Sequence, residues 1–255
     1  MNKRFLIGMA WGGAAVFLLA TPTAVTAKGR IHATVHEPPQ VRTVNQDYTY
    51  TTNNRTITIT GYTGLGGAVI IPGTINSLPV TRIGDNAFFS CNKLANVTLS
   101  NGVTSIGNNA FRSCTGLTSM VIPPGVTRIE DLAFACCSSL ATVTLPDSVT
   151  HIGDSTFSYC TSLTNLMIPK NLTIIRCGLF QYCIHLTHIT IPGTVTTLQS
   201  DAFLGCKNLK EVHFNGNAPQ LGSHVFDGSP ATLYYRPGTS GWGAKFGDRP
   251  ATTGE

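Results

Sequence analysis

His188, Glu211 and His213 are the side chains of this chain that come nearest to a reactive set. Two imidazoles and a carboxylate are enough to hold a transition metal or to pass a proton. In an extended segment Glu211 and His213 face the same way, because successive side chains alternate. Nothing nearby deepens the set into a site. No G-x-S-x-G elbow, H-E-x-x-H helix or phosphate-cradling loop occurs in the 255 residues. Three such residues also arise readily by chance on a polar surface, whereas a site needs convergent groups in a concavity. The residues therefore assign no catalytic group, no metal and no cofactor, and an enzyme is the weakest functional reading.

The eight cysteines are the other group with chemistry of its own. Six of them, Cys91, Cys114, Cys137, Cys160, Cys183 and Cys206, stand 23 residues apart. Regularly placed cysteines in an exported chain suggest disulfides. A column of this kind suits them badly, because side chains stacked one above another have nearly parallel Cβ vectors. A free thiol packs well as a small apolar residue. A buried thiol ladder is the expectation, with pairing of some rungs as the alternative. Cys136 and Cys177 lie off the column in coils two apart, about 9.6 Å or more at strand spacing, too far to bridge. No C-x₂-C spacing is present, so zinc is not expected.

The element that would position these residues is a repeat. Seven phenylalanines, Phe88, Phe111, Phe134, Phe157, Phe180, Phe203 and Phe226, keep the same step of 23. Ile83, Ile106, Ile129, Ile152 and Ile175 form another column that continues as Leu198 and Leu221, and Leu94 to Leu209 a third. A fixed period of this length marks a solenoid in which each unit buries its apolar face against its neighbours.

One unit, Val103 to Gly125, shows why the chain coils. Val103 and Ile106 are followed by Ala110, Phe111, Cys114 and Leu117. Steps of three suit a helical or 3₁₀ turn. Leu117–Ile122 then alternates, as do Leu140–Leu145 and Leu186–Ile191, and these β-branched stretches predict one short parallel strand per coil. Prolines at 123, 146 and 192 end the strands.

The ends depart from the period. Tyr48–Thr52 and Thr56–Thr60 alternate around Asn53-Asn54 and predict a β-hairpin cap, followed by a half-coil to residue 79. Repeats fill 80–217, and 218–255 hold a degenerate repeat and a C-terminal cap in which Ser229 replaces the cysteine. Trp242 reads as a lid on the open end of the core, with a sugar-stacking platform as the alternative. Lys3 and Arg4, the apolar run Phe5–Ala20 and Val25-Thr26-Ala27 predict a signal peptide, 1–27, cleaved after Ala27. Residues 28–47 read as a flexible leader. The expected location is secreted, cell-surface or periplasmic, with no transmembrane anchor. Without Lys3 and Arg4 the chain carries fifteen basic and twelve acidic residues, scattered, so no nucleic-acid surface is expected.

The recurring V-T-x-I-G-x-x-A-F-x-x-C-x-x-L-x-x-V-x-I-P, seen at Val80–Leu99, Val103–Pro123, Val126–Pro146 and Val149–Pro169, resembles the BspA-type leucine-rich repeat. The flanks TITITGYTGLGG and YYRPGTSGWGAKFGDRP are similar to those of bacterial secreted arrays. The resemblance spans roughly residues 48–250. It implies a curved α/β-type leucine-rich repeat solenoid and extracellular roles such as adhesion. It supplies no catalytic residues.

Strand alternation also locates a binding face. One outward ladder is Asn96, Ser119, Thr142, Asn165, His188 and Glu211; the other is Thr98, Val121, Thr144, Met167, Thr190 and His213. Small polar residues keep any exposed sheet soluble, so each position alone says little. The ladder as a whole is the expected contact surface for an extracellular protein or glycan, since solenoids bind along extended faces. Edge-to-edge assembly into a surface layer is the alternative reading. The sequence leaves the oligomeric state open.

Overall fold

The structure, a computed structural model, describes residues 47–254. The expected signal peptide and all but the last residue of the leader lie outside them. Among the described residues no helix is long and apolar enough to cross a membrane.

Each coil contributes two strands, where the sequence pattern suggested one. The first kind is short and carries the isoleucine column: Leu78–Ile83, Ser105–Ile106, Arg128–Ile129, His151–Ile152, Ile174–Ile175, Thr197–Leu198 and Gln220–Leu221. The second kind carries the outward ladder: Gly67–Ile70, Leu94–Thr98, Ser119–Val121, Thr142–Thr144, Asn165–Leu166, His188–Ile191, Glu211–Phe214 and Thr232–Tyr235. Neighbouring coils pair in parallel and in register, for example Ser105↔Arg128 and Ser119↔Thr142. A two-residue strand has no alternation to detect, so its ladder is visible only once the coils are stacked.

The expected helical turn does not form; among the described residues there is no α-helix. In the segment after Gly107, the amides of Ala110, Arg112 and Cys114 close turns onto the carbonyls of Gly107, Asn109 and Phe111 at 3.3, 3.1 and 3.2 Å. The alternate amides of Asn109, Phe111 and Ser113 instead donate to Asp131, Ala133 and Ala135 of the next coil at 3.0, 2.8 and 2.8 Å. A helix would use every amide within the coil and leave none for the neighbour. Asn109 at φ 53° and Ser113 at φ 60° turn the chain left-handed to aim these groups outward. Even Leu132 takes φ 57° at this place, a conformation that costs a bulky residue and that the stacked coils over-determine.

The core is a column of rings. Successive phenylalanines from Phe88 to Phe226 are stacked, from 4.8 Å for Phe88–Phe111 to 6.0 Å for Phe157–Phe180. Tyr62 extends the stack at 5.2 Å from Phe88. It belongs to an antiparallel hairpin, Tyr48–Asn53 with Thr56–Tyr62, whose two-residue turn has Asn54 at φ 46° and Arg55 at φ 61°. Positive φ at both central residues gives the twist that matches paired strands. At the other end Trp242 stacks on Tyr235 at 4.9 Å and tilts against Phe214 and Phe246, as a lid would.

All eight cysteines are free thiols. The column is more than filler. Cys114, Cys137, Cys160, Cys183 and Cys206 each donate from Sγ to the carbonyl of the phenylalanine in the preceding coil, at 3.0 to 3.2 Å. Burial pushes the Cys206 thiol up to about 12 and raises Cys160 and Cys183 as well. Hydrogen bonding with Cys114, then burial, raises Cys137. Such thiols stay protonated and unreactive at neutral pH.

Candidate functional site

Every ladder residue named from the sequence is exposed or half-buried, and the residues between them are core: Val97, Met120, Val143, Leu166, Ile189 and Val212 are each at most 6 % exposed. The alternation of the pleat holds along the whole face. Asn96, Ser119, Thr142 and Asn165 are register neighbours, as are Thr98, Val121 and Thr144. His188 is in register with Glu211, and Thr190 with His213.

The ladder is two runs, not one. Asn165 and His188 lie on strands of consecutive coils that belong to separate sheets. It is also longer than its column. Ala68 and Ile70 extend it before Asn96 and Thr98, and Thr232 and Tyr234 continue it after Glu211 and His213. The step of 23 fails at these ends, so the columns could not reach them. The strand-like runs AVII and TLYY were the available signal.

Local contacts give the face its texture. Ser119 Oγ donates to Asn96 Oδ1 at 3.1 Å. Val121 is 64 % exposed and Met167 78 %. Beside them lie two depressions. One, of about 440 Å³, is lined by Thr98, Ser119, Val121 and Pro123. The other, of about 480 Å³, is lined by Thr144, Asn165, Met167 and Lys170. No aromatic ring lines either.

The His188, Glu211 and His213 set is only partly assembled. His213 Nε2 lies 3.0 Å from Glu211 Oε2, and its ring stacks on Tyr234 at 5.0 Å. His188 Nδ1 turns to Thr187 Oγ1 at 3.1 Å. Among the described residues no three His, Cys, Asp or Glu side chains converge as a metal would require. The pair is held against Tyr234 beside a depression of about 230 Å³ lined by His213, Asn215, Tyr234 and Arg236, and His188 does not reach it with a third group.

The aspartates at the start of each turn form a ladder of their own. Asp85 Oδ1 accepts the amide of Asn108 at 3.0 Å, Asn108 Oδ1 that of Asp131 at 3.2 Å, and Asp131 Oδ1 that of Asp154 at 2.8 Å. Their role is to satisfy backbone where the chain turns out of the short strand.

A family model for the BspA type leucine rich repeat region matches the chain in 6 copies, over residues 81–210 and 173–235. The chain belongs to this family. Among solved structures, the leucine rich repeat protein of T. pallidum is 34% identical, with a TM-score of 0.66 over 72% of this chain and 86% of that one. A leucine-rich repeat protein from Bacteroides ovatus ATCC 8483 is 22% identical over 74% of this chain and 70% of that one, with a TM-score of 0.49. No match was found among curated proteins. BspA-type repeats thus account for the columns of phenylalanine, leucine, isoleucine and cysteine.

Proposed function

We propose that this protein is exported and binds an extracellular protein or glycan, without catalysing a reaction, through the ladder face of its solenoid. The observation that carries this reading is the run from Asn96 to Met167. It is a continuous, uncharged face of hydroxyls and amides, interrupted by two exposed apolar side chains, Val121 and Met167, each beside a depression. Exposed apolar groups rimmed by neutral polar ones favour contact with a macromolecule over permanent hydration. Two further points support it: the export-type N-terminus and the family's extracellular associations. Affinity comes from many contacts along the face, with a few central residues dominating.

Panels of immobilised matrix proteins and glycans test the proposal. Val121→Asp and Met167→Asp, made on an exposed face, should leave folding intact and weaken capture at least about tenfold. Glu211→Lys and His188→Glu should alter it through charge. Turn-edge substitutions such as Asp85→Asn should leave it unchanged. If the turn-edge variant loses binding while the ladder variants bind normally, the wrong face has been chosen.

Self-association is a second reading, supported by one observation. The ladder strand Gly67–Ile70 ends its sheet, and beside it Leu65 is 75 % exposed and Ile70 69 %. Apolar sheet edges of this kind pair with one another. Light scattering across a concentration series separates this reading from a monomeric binder.

A further inference from the structure

We propose that the solenoid carries a built-in hinge between the coil Val149–Asn171 and the coil Leu172–Thr194, opening on its strand side and staying closed along its turn edge, and that Arg176 and Gln199 hold the strand side apart.

Three independent ladders stop at this one junction. His151–Ile152 has no partner in Ile174–Ile175, so the short-strand sheet divides in two. Asn165–Leu166 has none in His188–Ile191, which divides the outward sheet at the same coil. Elsewhere on the strand side, amides reach the preceding coil regularly: Thr150 to Thr127 at 3.0 Å, Thr196 to Thr173 at 2.9 Å and Lys210 to Thr187 at 2.8 Å. Among the described residues the amides of Thr173 and Thr187 have no such bond. The rung just before the junction, Thr164 to Ala141, is already long at 3.4 Å. The carboxylate ladder is the third. Asp154 Oδ1 is buried and accepts no hydrogen bond, whereas the equivalent Asp131 Oδ1 accepts the next coil's amide.

Past the first turn residue, where the carboxylate ladder runs, the turn edge behaves differently. Ser155, Phe157 and Tyr159 donate to Cys177, Leu179 and Gln181 at 2.8, 3.1 and 2.8 Å, the middle bond the longest of its column but all three intact. The Cys183 thiol also reaches the Phe157 carbonyl at 3.2 Å. Between the two sides, the core spacing is the widest of the column, 6.0 Å for Phe157–Phe180. Two side-chain bonds flank the ladder strands at the junction: His185 Nδ1 lies 2.6 Å from the Thr161 carbonyl before them, and Thr194 Oγ1 donates to the Lys170 carbonyl at 2.7 Å beyond them. Bonds on one side and none between the strands describe a hinge whose line runs through the turns.

The cause lies in two columns. Gly84, Gly107, Gly153 and Gly222 occupy the place taken by Arg176 in the coil after the junction and by Gln199 in the coil beyond that. At Gly153 an added Cβ would come 2.4 Å from the Asp131 amide nitrogen, so the coils approach there because nothing projects between them. Glu130 occupies the same column without loss of pairing, so a side chain alone does not open the stack. At the junction a second change joins it. The Cys177 amide, which should return to Asp154, turns to Gln199 Oε1 at 3.2 Å. Arg176 Nη1 is left 3.7 Å from Asp154 Oδ1, an ion pair too long to replace the missing bond. The junction falls between Asn165 and His188, so opening would change the spacing of the two halves of the proposed binding face.

Hydrogen exchange on the full chain, resolved to single amides, tests this. In the natural protein Thr173 and Thr187 should exchange at least about 100-fold faster than the aligned Thr150 and Lys210, while Ser155, Phe157 and Tyr159 stay protected. The double variant Arg176→Gly with Gln199→Gly should slow Thr173 and Thr187 at least about tenfold and leave the turn-edge amides unchanged. Gln199→Ala alone should give part of this slowing should the double variant not fold. Equal protection of Thr173 and Thr150 in the natural protein would overturn the hinge. So would turn-edge amides exchanging as fast as the strand side, since the coils would then separate and not pivot. Variants that fold but leave Thr173 and Thr187 fast would overturn the role given to Arg176 and Gln199.

Discussion

Asp131 Oδ1 accepts the backbone amide of Asp154, one coil further on, at 2.8 Å. The carboxylate thus does for a solenoid turn what a capping side chain does for a helix end. Asn108 does the same for Asp131 with an amide oxygen, which shows that the acceptor matters and the charge does not. Asp131→Ala should therefore cost about 1 kcal/mol, in the range of a lost cap. Asp131→Asn should be close to neutral. Urea melts of the two variants decide it, and equal losses would mean that the charge, not the bond, is what counts.

Phe157→Ala should cost about 3–5 kcal/mol, as truncation of a buried ring leaves a cavity that rigid stacked coils cannot close. Because each coil touches only its neighbours, the loss should appear first in amides of the coils on either side. An unchanged melting curve would show that the ring column is not the core.

The thiol column should be indifferent to reductant. Each buried thiol is already engaged with a phenylalanine carbonyl, and no disulfide closes any loop. Melting temperatures with and without reductant should agree, and titration of the denatured, unreduced chain should find eight thiols. Four disulfides would contradict the packing described above.

His151 gives the fold a dependence on pH. Burial first, then the charges of Arg128 and Arg176, hold its pKa below the ordinary 6.5, against the opposing pull of Glu130 and Asp131. The unfolded imidazole therefore takes up its proton before the folded one. Its contribution to stability is fully present above about 6.5 and is lost as pH falls through the folded value. Urea midpoints at pH 7.5 and 5.5 should drop more for the natural protein than for His151→Gln. An identical drop in both would assign the acid sensitivity to the carboxylates alone.

The period of 23 was enough to define the solenoid, because a buried column demands the same residue type at the same place in every coil. Phe88 to Phe226, the isoleucines and the cysteines could be placed in the core without coordinates, and the outward ladder followed from alternation along each strand. What only the stacked structure decided depends on distances between coils. The two-residue strands at Ser105 and its equivalents exist solely through pairing with their neighbours. The left-handed turns at Asn109 and Ser113 replaced a helix because their amides are needed by the next coil, a demand no single unit expresses. Ser119 and Asn96 were legible as ladder members, whereas the gap between Asn165 and His188 was not. That gap follows from where one amide, that of Cys177, sends its hydrogen bond. In residue type only the glycine column is interrupted there, by Arg176 and Gln199, while the phenylalanine, leucine and cysteine columns run on through a break that the backbone does not cross.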